Sequence, residues 1–218
     1  MICDTTRLNK KDKYLALSHR WGSRPKPGGE PDPLIDKFVC TYEKNIHTLE
    51  HGIDDSRFPP MYQDAITIAR ELNVKYLWID SLCIIQHDKN DPFDEDKGKD
   101  WEKESELMEQ VFQSAYLTIA ASCASSPAER FLRRRPERQC VTLRTGSTFY
   151  YLCDAIDDFD GDVEQGELNK RGWVLQERAL SPRTIYFTEK QTYWECGEGV
   201  RCETLTKSKK YVASRKKT

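Results

Sequence analysis

The chain has 218 residues, 38% of them hydrophobic, and 34 basic against 36 acidic side chains leave a formal net charge of -2. That length supports one good core and a single main domain, and the near-balance of charge gives no general attraction to nucleic acid, so a basic contact has to be local. No apolar run approaches the ~20 residues that cross a bilayer, and the eight cysteines are scattered, with Cys83, Cys123 and Cys153 inside apolar runs, as buried thiols in a reducing compartment would be.

Tyr14 to Ser18 reads as a first buried strand, preceded by a polar stretch, Thr5 to Lys13, that does not resemble a secretory leader. The expectation is a soluble intracellular, cytoplasmic protein. Gly22 to Pro33 is rich in proline and glycine and reads as a loop at the strand's carboxyl end, where a lid would sit. Pro59-Pro60 then opens a helix with Met61, Ala65, Ile68, Ala69 and Leu72 on one face, and Asn73 fits its end. Tyr76 to Ile85 returns as a strand, so the order strand, helix, strand predicts two parallel strands joined by a right-handed crossover.

His87 to Asp100 is dense in charge and turn formers and reads as an exposed loop. A second helix over Trp101 to Ala115 and a third strand over Tyr116 to Ala121 follow. After an irregular stretch, Val141 to Leu143 and Phe149 to Cys153 are strand-like, and an acidic loop runs from Asp157 to Glu164. Arg171 to Leu180 reads as a short helix, and Thr184 to Thr188 with Gln191 to Cys196 as a hairpin around Glu189-Lys190. The sum is an α/β fold, a parallel-sheet core with helices on both faces and β-rich elaborations after it.

Nucleotide-hydrolysing P-loops, GxGxxG turns, HExxH helices and GxSxG elbows are absent from the sequence. The spacing of Cys196 and Cys202 does not match a zinc pair, so no metal is expected. Cys83 has no histidine in its motif to activate it. Polar groups concentrate instead at two strand ends. Ser18, His19, Arg20 and Trp21 follow the first strand, and Asp80 lies within the second apolar run; neighbouring strands would bring them to one crevice. Arg20 suits a phosphate and Trp21 a stacked base or nicotinamide ring, or packing under the following loop. Period-two alternation puts Asp80 on the face of Trp78 and Leu82, where it orients a ribose hydroxyl or a catalytic partner, or else bonds the amides of a nearby turn.

On the second helix, Glu104 falls on the apolar face one turn before Met108. A carboxylate aimed at a core is protonated, faces a cavity or is paired, here with Arg20, Arg171 or Arg178. The third cluster, Arg171, Trp173, Gln176 and Glu177, puts Trp173, Glu177 and Leu180 on one helical face, with structural support favoured over a site.

Three blocks carry a family resemblance: Tyr14-Leu15-Ala16-Leu17-Ser18-His19-Arg20-Trp21-Gly22, Lys75-Tyr76-Leu77-Trp78-Ile79-Asp80-Ser81-Leu82-Cys83-Ile84-Ile85-Gln86, and Arg171-Gly172-Trp173-Val174-Leu175-Gln176-Glu177-Arg178. Pro59 to Ala65 with Asp64, then Trp101, Glu104 and Met108, then Ala115 to Ala121 and Trp194-Glu195-Cys196 extend it. The chain resembles the fungal heterokaryon incompatibility (HET) domain from Tyr14 to about Glu203. It departs from the pattern in the 87–100 segment, which reads as an insertion, and in Ala128-Glu129-Arg130-Phe131, where a glycine-leucine-phenylalanine is usual.

The domain is expected over 1–206, with a core at about 14–125 and a β-rich part at about 137–206; the basic tail at 207–218 reads, from its own charge, as a solvated disordered terminus, or else as a contact for nucleic acid, a membrane surface or a nuclear import receptor. The resemblance implies a module of non-self recognition that triggers regulated cell death, remotely similar to TIR domains, with a flavodoxin-like fold. By that likeness Glu104 is the catalytic glutamate, and Ser18, Arg20, Trp21, Asp80 and Trp101 bind substrate. NAD is then the substrate, cleaved at the nicotinamide ribosyl bond with no cofactor required. Self-association activates such a domain, and an incompatibility partner is implied. The alternative role is a non-catalytic module that signals by homotypic contact.

Overall fold

The computed structural model describes residues 9, 12–22, 40–88, 98–135, 140–153 and 157–203. The lid-like loop beyond Gly22, most of the 87–100 insertion and the basic tail lie outside the described residues.

Strand β1 (Tyr14–Ser18) is followed by helices α1 (Ile46–His51) and α2 (Pro60–Glu71), strand β2 (Tyr76–Trp78), the single turn α3 (Asp80–Cys83), helix α4 (Lys99–Ser114) and strand β3 (Leu117–Ala120). Strands β4 (Cys140–Thr145) and β5 (Thr148–Cys153) form a separate antiparallel hairpin. Helix α5 (Gly172–Leu180) leads into β6 (Arg183–Phe187), β7 (Thr192–Cys196) and β8 (Gly199–Cys202). The main sheet has the order β2-β1-β3-β6-β7-β8, parallel through β6 and antiparallel beyond it.

Alternation along the strands assigns the two faces. Leu15 and Leu17 of β1 pack with Leu117 and Ile119 of β3 and with Met61, Tyr62, Ala65 and Ala69 of α2. Ala16, pointing the other way, packs with Met108, Phe112 and Ala115 of the α4 segment. Helix α5 lies beside α4 and closes the same side through Val174, which clusters with Ala120 and Tyr186. Each of these large side chains contributes about 2 kcal/mol by leaving water. The helices therefore cover both faces, as the sequence pattern predicts, and the carboxyl ends of β1, β2 and β3 lie together at one edge of the sandwich.

Local chemistry sets the ends of the elements. Pro60 sits in the first turn of α2, where a missing N–H costs nothing, and Asn73 closes the helix at φ 52. Asp64 of α2 is buried and accepts hydrogen bonds from Arg130 and from the backbone N–H groups of Phe131 and Leu132. That clamp seats Phe131 in the core despite the altered Ala128-Glu129-Arg130 sequence before it.

One expected element is different. Tyr76 to Ile85 is not a single strand: after Ile79 the amides of Leu82 and Cys83 bond back to the Ile79 carbonyl, and the chain winds into α3. Ile85 rejoins only as an isolated bridge to Thr41. A continuous apolar run fits a buried turn as well as a buried strand. Leu77 and Ile79 still face α2 and Trp78 faces Phe112, but Asp80 no longer shares a strand face with Trp78 and Leu82.

Candidate functional site

The carboxyl end of β1 delivers Ser18 and His19 as buried residues and Trp21 as a half-buried one. Gly22 then turns at φ +88, and a Cβ there would stand 3.0 Å from Cβ of Ser126, so the chain leaves the site through a position that suits only glycine. The end of β2 delivers Asp80 as the first residue of α3. One of its oxygens accepts the Ser81 amide at 2.7 Å and the other accepts Trp21 Nε1 at 2.8 Å. Asp80 thus bonds both a turn amide and a residue of the other strand end.

His19 is 2% exposed and stands between three elements. Its Nδ1 lies 3.8 Å from Oδ1 of Asp80, and its Nε2 is 3.3 Å from the Tyr62 hydroxyl, which in turn bonds Ser81 Oγ at 2.7 Å. The guanidinium of Arg171, at the head of α5, donates to the His19 carbonyl. Glu177, one and a half turns along α5, is 8% exposed and borders Ser18. Neither Ser18 Oγ, His19 Nδ1 nor Glu177 Oε2 completes a well-formed hydrogen bond among the described residues. Buried polar atoms without partners are uncommon and collect where a protein binds or reacts.

The electrostatics of the cluster follow from burial. Desolvation pushes the Glu177 carboxyl up to about 7; Ser18 and Arg171 oppose the rise, and Asp80 adds to it. Desolvation also lowers the pKa of His19, with Asp80 acting against it and Arg171 with it. Tyr62 is held well above the ordinary phenol range by its burial. A carboxyl that titrates near neutrality can give or take a proton at working pH.

The other candidate residues are placed differently. Glu104 is 30% exposed, its Oε1 lies 3.6 Å from Lys103 Nζ, and among the described residues no hydrogen bond or ion pair joins it to Arg20, Arg171 or Arg178. Of these two helix glutamates the buried one is Glu177, not Glu104. Trp101 is half-buried against the cluster of Ala16, Met108 and Phe112, and Trp173 is half exposed. Arg20 lies within electrostatic range of Glu129 and Glu167. Arg178 is committed elsewhere, donating to Glu195 at 2.9 and 3.0 Å and to Glu164 at 3.1 Å. Tyr62 and Ser81 are the members of the cluster that sequence reasoning missed; Tyr62 sits on the α2 stripe at three and seven residues before Ala65 and Ala69, which reads as plain packing.

The model of the heterokaryon incompatibility protein (HET) family matches residues 14–177. The chain belongs to the HET family. The matched region begins with β1 and ends at Glu177, so every member of the buried cluster falls inside it, whereas β6, β7 and β8 lie beyond. Membership assigns this HET domain to fungal heterokaryon incompatibility, the non-self reaction that ends in cell death. No curated protein and no solved structure matches the chain. Among the described residues no helix is long and apolar enough to cross a membrane, and no three His, Cys, Asp or Glu side chains are grouped to hold a metal ion.

Proposed function

We propose that this HET domain is a cell-death effector that hydrolyses NAD to nicotinamide and ADP-ribose once copies of it associate. The observation that carries the reading is that Ser18 Oγ and His19 Nδ1, at the carboxyl end of β1, lack partners among the described residues, on the edge where open α/β sheets bind ligands. Glu104, part-exposed on the helix that rises from that edge, holds the ribose hydroxyls and stabilises the positive charge that develops on the ribose as the C1′–N bond breaks. Water then adds to C1′ and releases a proton. Arg20 takes the pyrophosphate, and Trp21 and Trp101 offer ring faces to the base or nicotinamide. Asp80 acts by holding the Trp21 indole. Nicotinamide release by the concentrated protein, absent in folded Glu104→Ala, is the test.

A second reading, a non-catalytic module that signals by contact between copies, is favoured by one feature. The β4–β5 hairpin exposes Val141, Leu143 and Tyr150 on one face, an apolar group on a two-stranded sheet, with Phe149 exposed on the other. Under this reading charged substitutions on the hairpin abolish signalling while Glu104→Ala does not.

A further inference from the structure

The β4–β5 hairpin stands apart from the main sheet, and among the described residues its strands pair only with each other. Residues 141–150 are all exposed, so neither face of that stretch is covered. A two-stranded hairpin without cover is marginally stable in water. Its turn is Gly146-Ser147, with Gly146 at φ 62, the position and sign that a type II′ turn requires. Such a turn is closed by a hydrogen-bonded pair, here Thr145 with Thr148, and from there hydrogen-bonded and open pairs alternate along the ladder. Counting outward, Cys140 and Cys153 are directly opposed, and theirs is an open pair. Open pairs hold their Cα atoms about 4.5 Å apart, the closer of the two spacings, and a disulfide accepts a Cα separation of about 4.4–6.8 Å. Arg144 and Phe149, another open pair, show that closeness: the guanidinium carbon lies 5.5 Å from the ring centre. In the main sheet, by contrast, Cys196 stands opposite Arg183 and Gly199, and Cys202 opposite Tyr193.

We propose that Cys140 and Cys153 are a reversible redox site, which closes into a cross-strand disulfide on exposure to hydrogen peroxide. The backbone already holds the two positions in register, so no strand has to shift. One thiolate attacks a peroxide oxygen, the O–O bond breaks, a sulfenic acid forms, and hydroxide leaves and takes up the thiol's proton as water. The second thiolate displaces the hydroxyl from that sulfur, the S–S bond forms, and a second water leaves. In all, the two thiols give up two electrons and two protons, and one peroxide becomes two waters. Under reducing conditions the pair rests as thiols, and two equivalents of a small thiol such as glutathione restore them by exchange, leaving as their own disulfide. The closed loop restricts the uncovered hairpin and not the packed core, so the crosslink acts where the described fold has least support. The site is independent of both functional readings.

The experiment treats the full chain with hydrogen peroxide, blocks the remaining thiols with N-ethylmaleimide, and digests with trypsin in the absence of reductant. Cleavage after Arg138, Arg144 and Lys170 yields fragments 139–144 and 145–170, which carry one cysteine each, Cys140 and Cys153. The expected mass spectrum shows these two fragments joined, and dithiothreitol parts them. Amide hydrogen exchange over residues 141–152 slows several-fold in the oxidised chain and recovers on reduction, and Cys140→Ser and Cys153→Ser each remove both effects. Fragments that stay separate after peroxide overturn the proposal, as does either cysteine joined to a different one. A joined pair whose hairpin amides exchange as fast as before overturns it equally, since the crosslink then restrains nothing. The mapping is made on the wild type, so it decides even if a serine variant fails to fold.

Discussion

The indole Nε1 of Trp21 donates to Oδ2 of Asp80 at 2.8 Å, which ties the chain leaving β1 to the helical turn leaving β2. Both residues belong to strand ends that a parallel pairing of β1 with β2 brings side by side. A bond from a neutral donor to a charged acceptor contributes about 1.5–3 kcal/mol. Trp21→Phe keeps most of the ring and removes the donor, so its urea midpoint should fall by the equivalent of about 1–2 kcal/mol. An unchanged midpoint would mean that Asp80 does not anchor this corner.

Asp64 makes a second, independent anchor. Its carboxylate satisfies Arg130 and two backbone amides, one of them on buried Phe131. Asp64→Ala leaves those amides without an acceptor in the core and is expected to cost about 2–4 kcal/mol. Limited proteolysis should then cut within the Arg130–Arg135 segment well before the rest of the chain unfolds, and equal resistance of the two proteins would contradict the clamp.

Arg178 joins α5 to the antiparallel part of the sheet. It meets Glu195 with two nitrogens, and its guanidinium carbon lies 5.2 Å from the Phe159 ring centre. Lysine cannot reproduce a planar two-bond fork, so Arg178→Lys is expected to lose about 1–2 kcal/mol in denaturant unfolding although the charge is kept. Full stability in the lysine variant would show that the charge alone suffices.

His19 gives a pH signature of its own. Its folded pKa is lowered, chiefly by burial, so the unfolded chain binds a proton that the folded ring refuses. Stability from this residue is present above its ordinary value of 6.5 and declines as pH falls below it. In NMR the His19 Hε1 resonance should titrate with a midpoint under 6.5; a midpoint at or above that value would mean that Asp80 outweighs desolvation.

The sequence made the layered core legible because its periods are clean. Alternation in β1, the Met61-Ala65-Ala69 stripe of α2 and the Met108-Phe112 stripe of α4 each name the face that is buried. The hairpin around Glu189-Lys190 was equally readable, although β8, which pairs with β7, was not, since Gly199 to Cys202 is too short to show a pattern. The convergence of Ser18, His19, Trp21 and Asp80 follows from strand order. What the sequence hid was which of two helix glutamates is interior. Glu104 and Glu177 both sit on apolar helical faces, and a wheel shows direction around a helix but not how deeply its neighbours cover each turn. Glu177 is covered because α5 presses Val174 and Glu177 onto the ends of β1 and β3, while Glu104 lies toward the open start of α4. The turn at Asp80 escaped for a related reason: Ile79 to Ile85 is apolar enough for either conformation, and only the bonds returning to the Ile79 carbonyl choose between them.

The most direct test is the time course of nicotinamide release from NAD by the assembled wild-type chain, run beside Glu104→Gln at matched folding and oligomeric state. Steady release by the wild type is expected, with loss of at least about a hundredfold in the variant, the scale of one electrostatic stabiliser at a developing charge. Equal release by both proteins would remove Glu104 from the reaction. No release by an assembled, death-competent wild type would contradict NAD cleavage itself and turn the account toward signalling by contact.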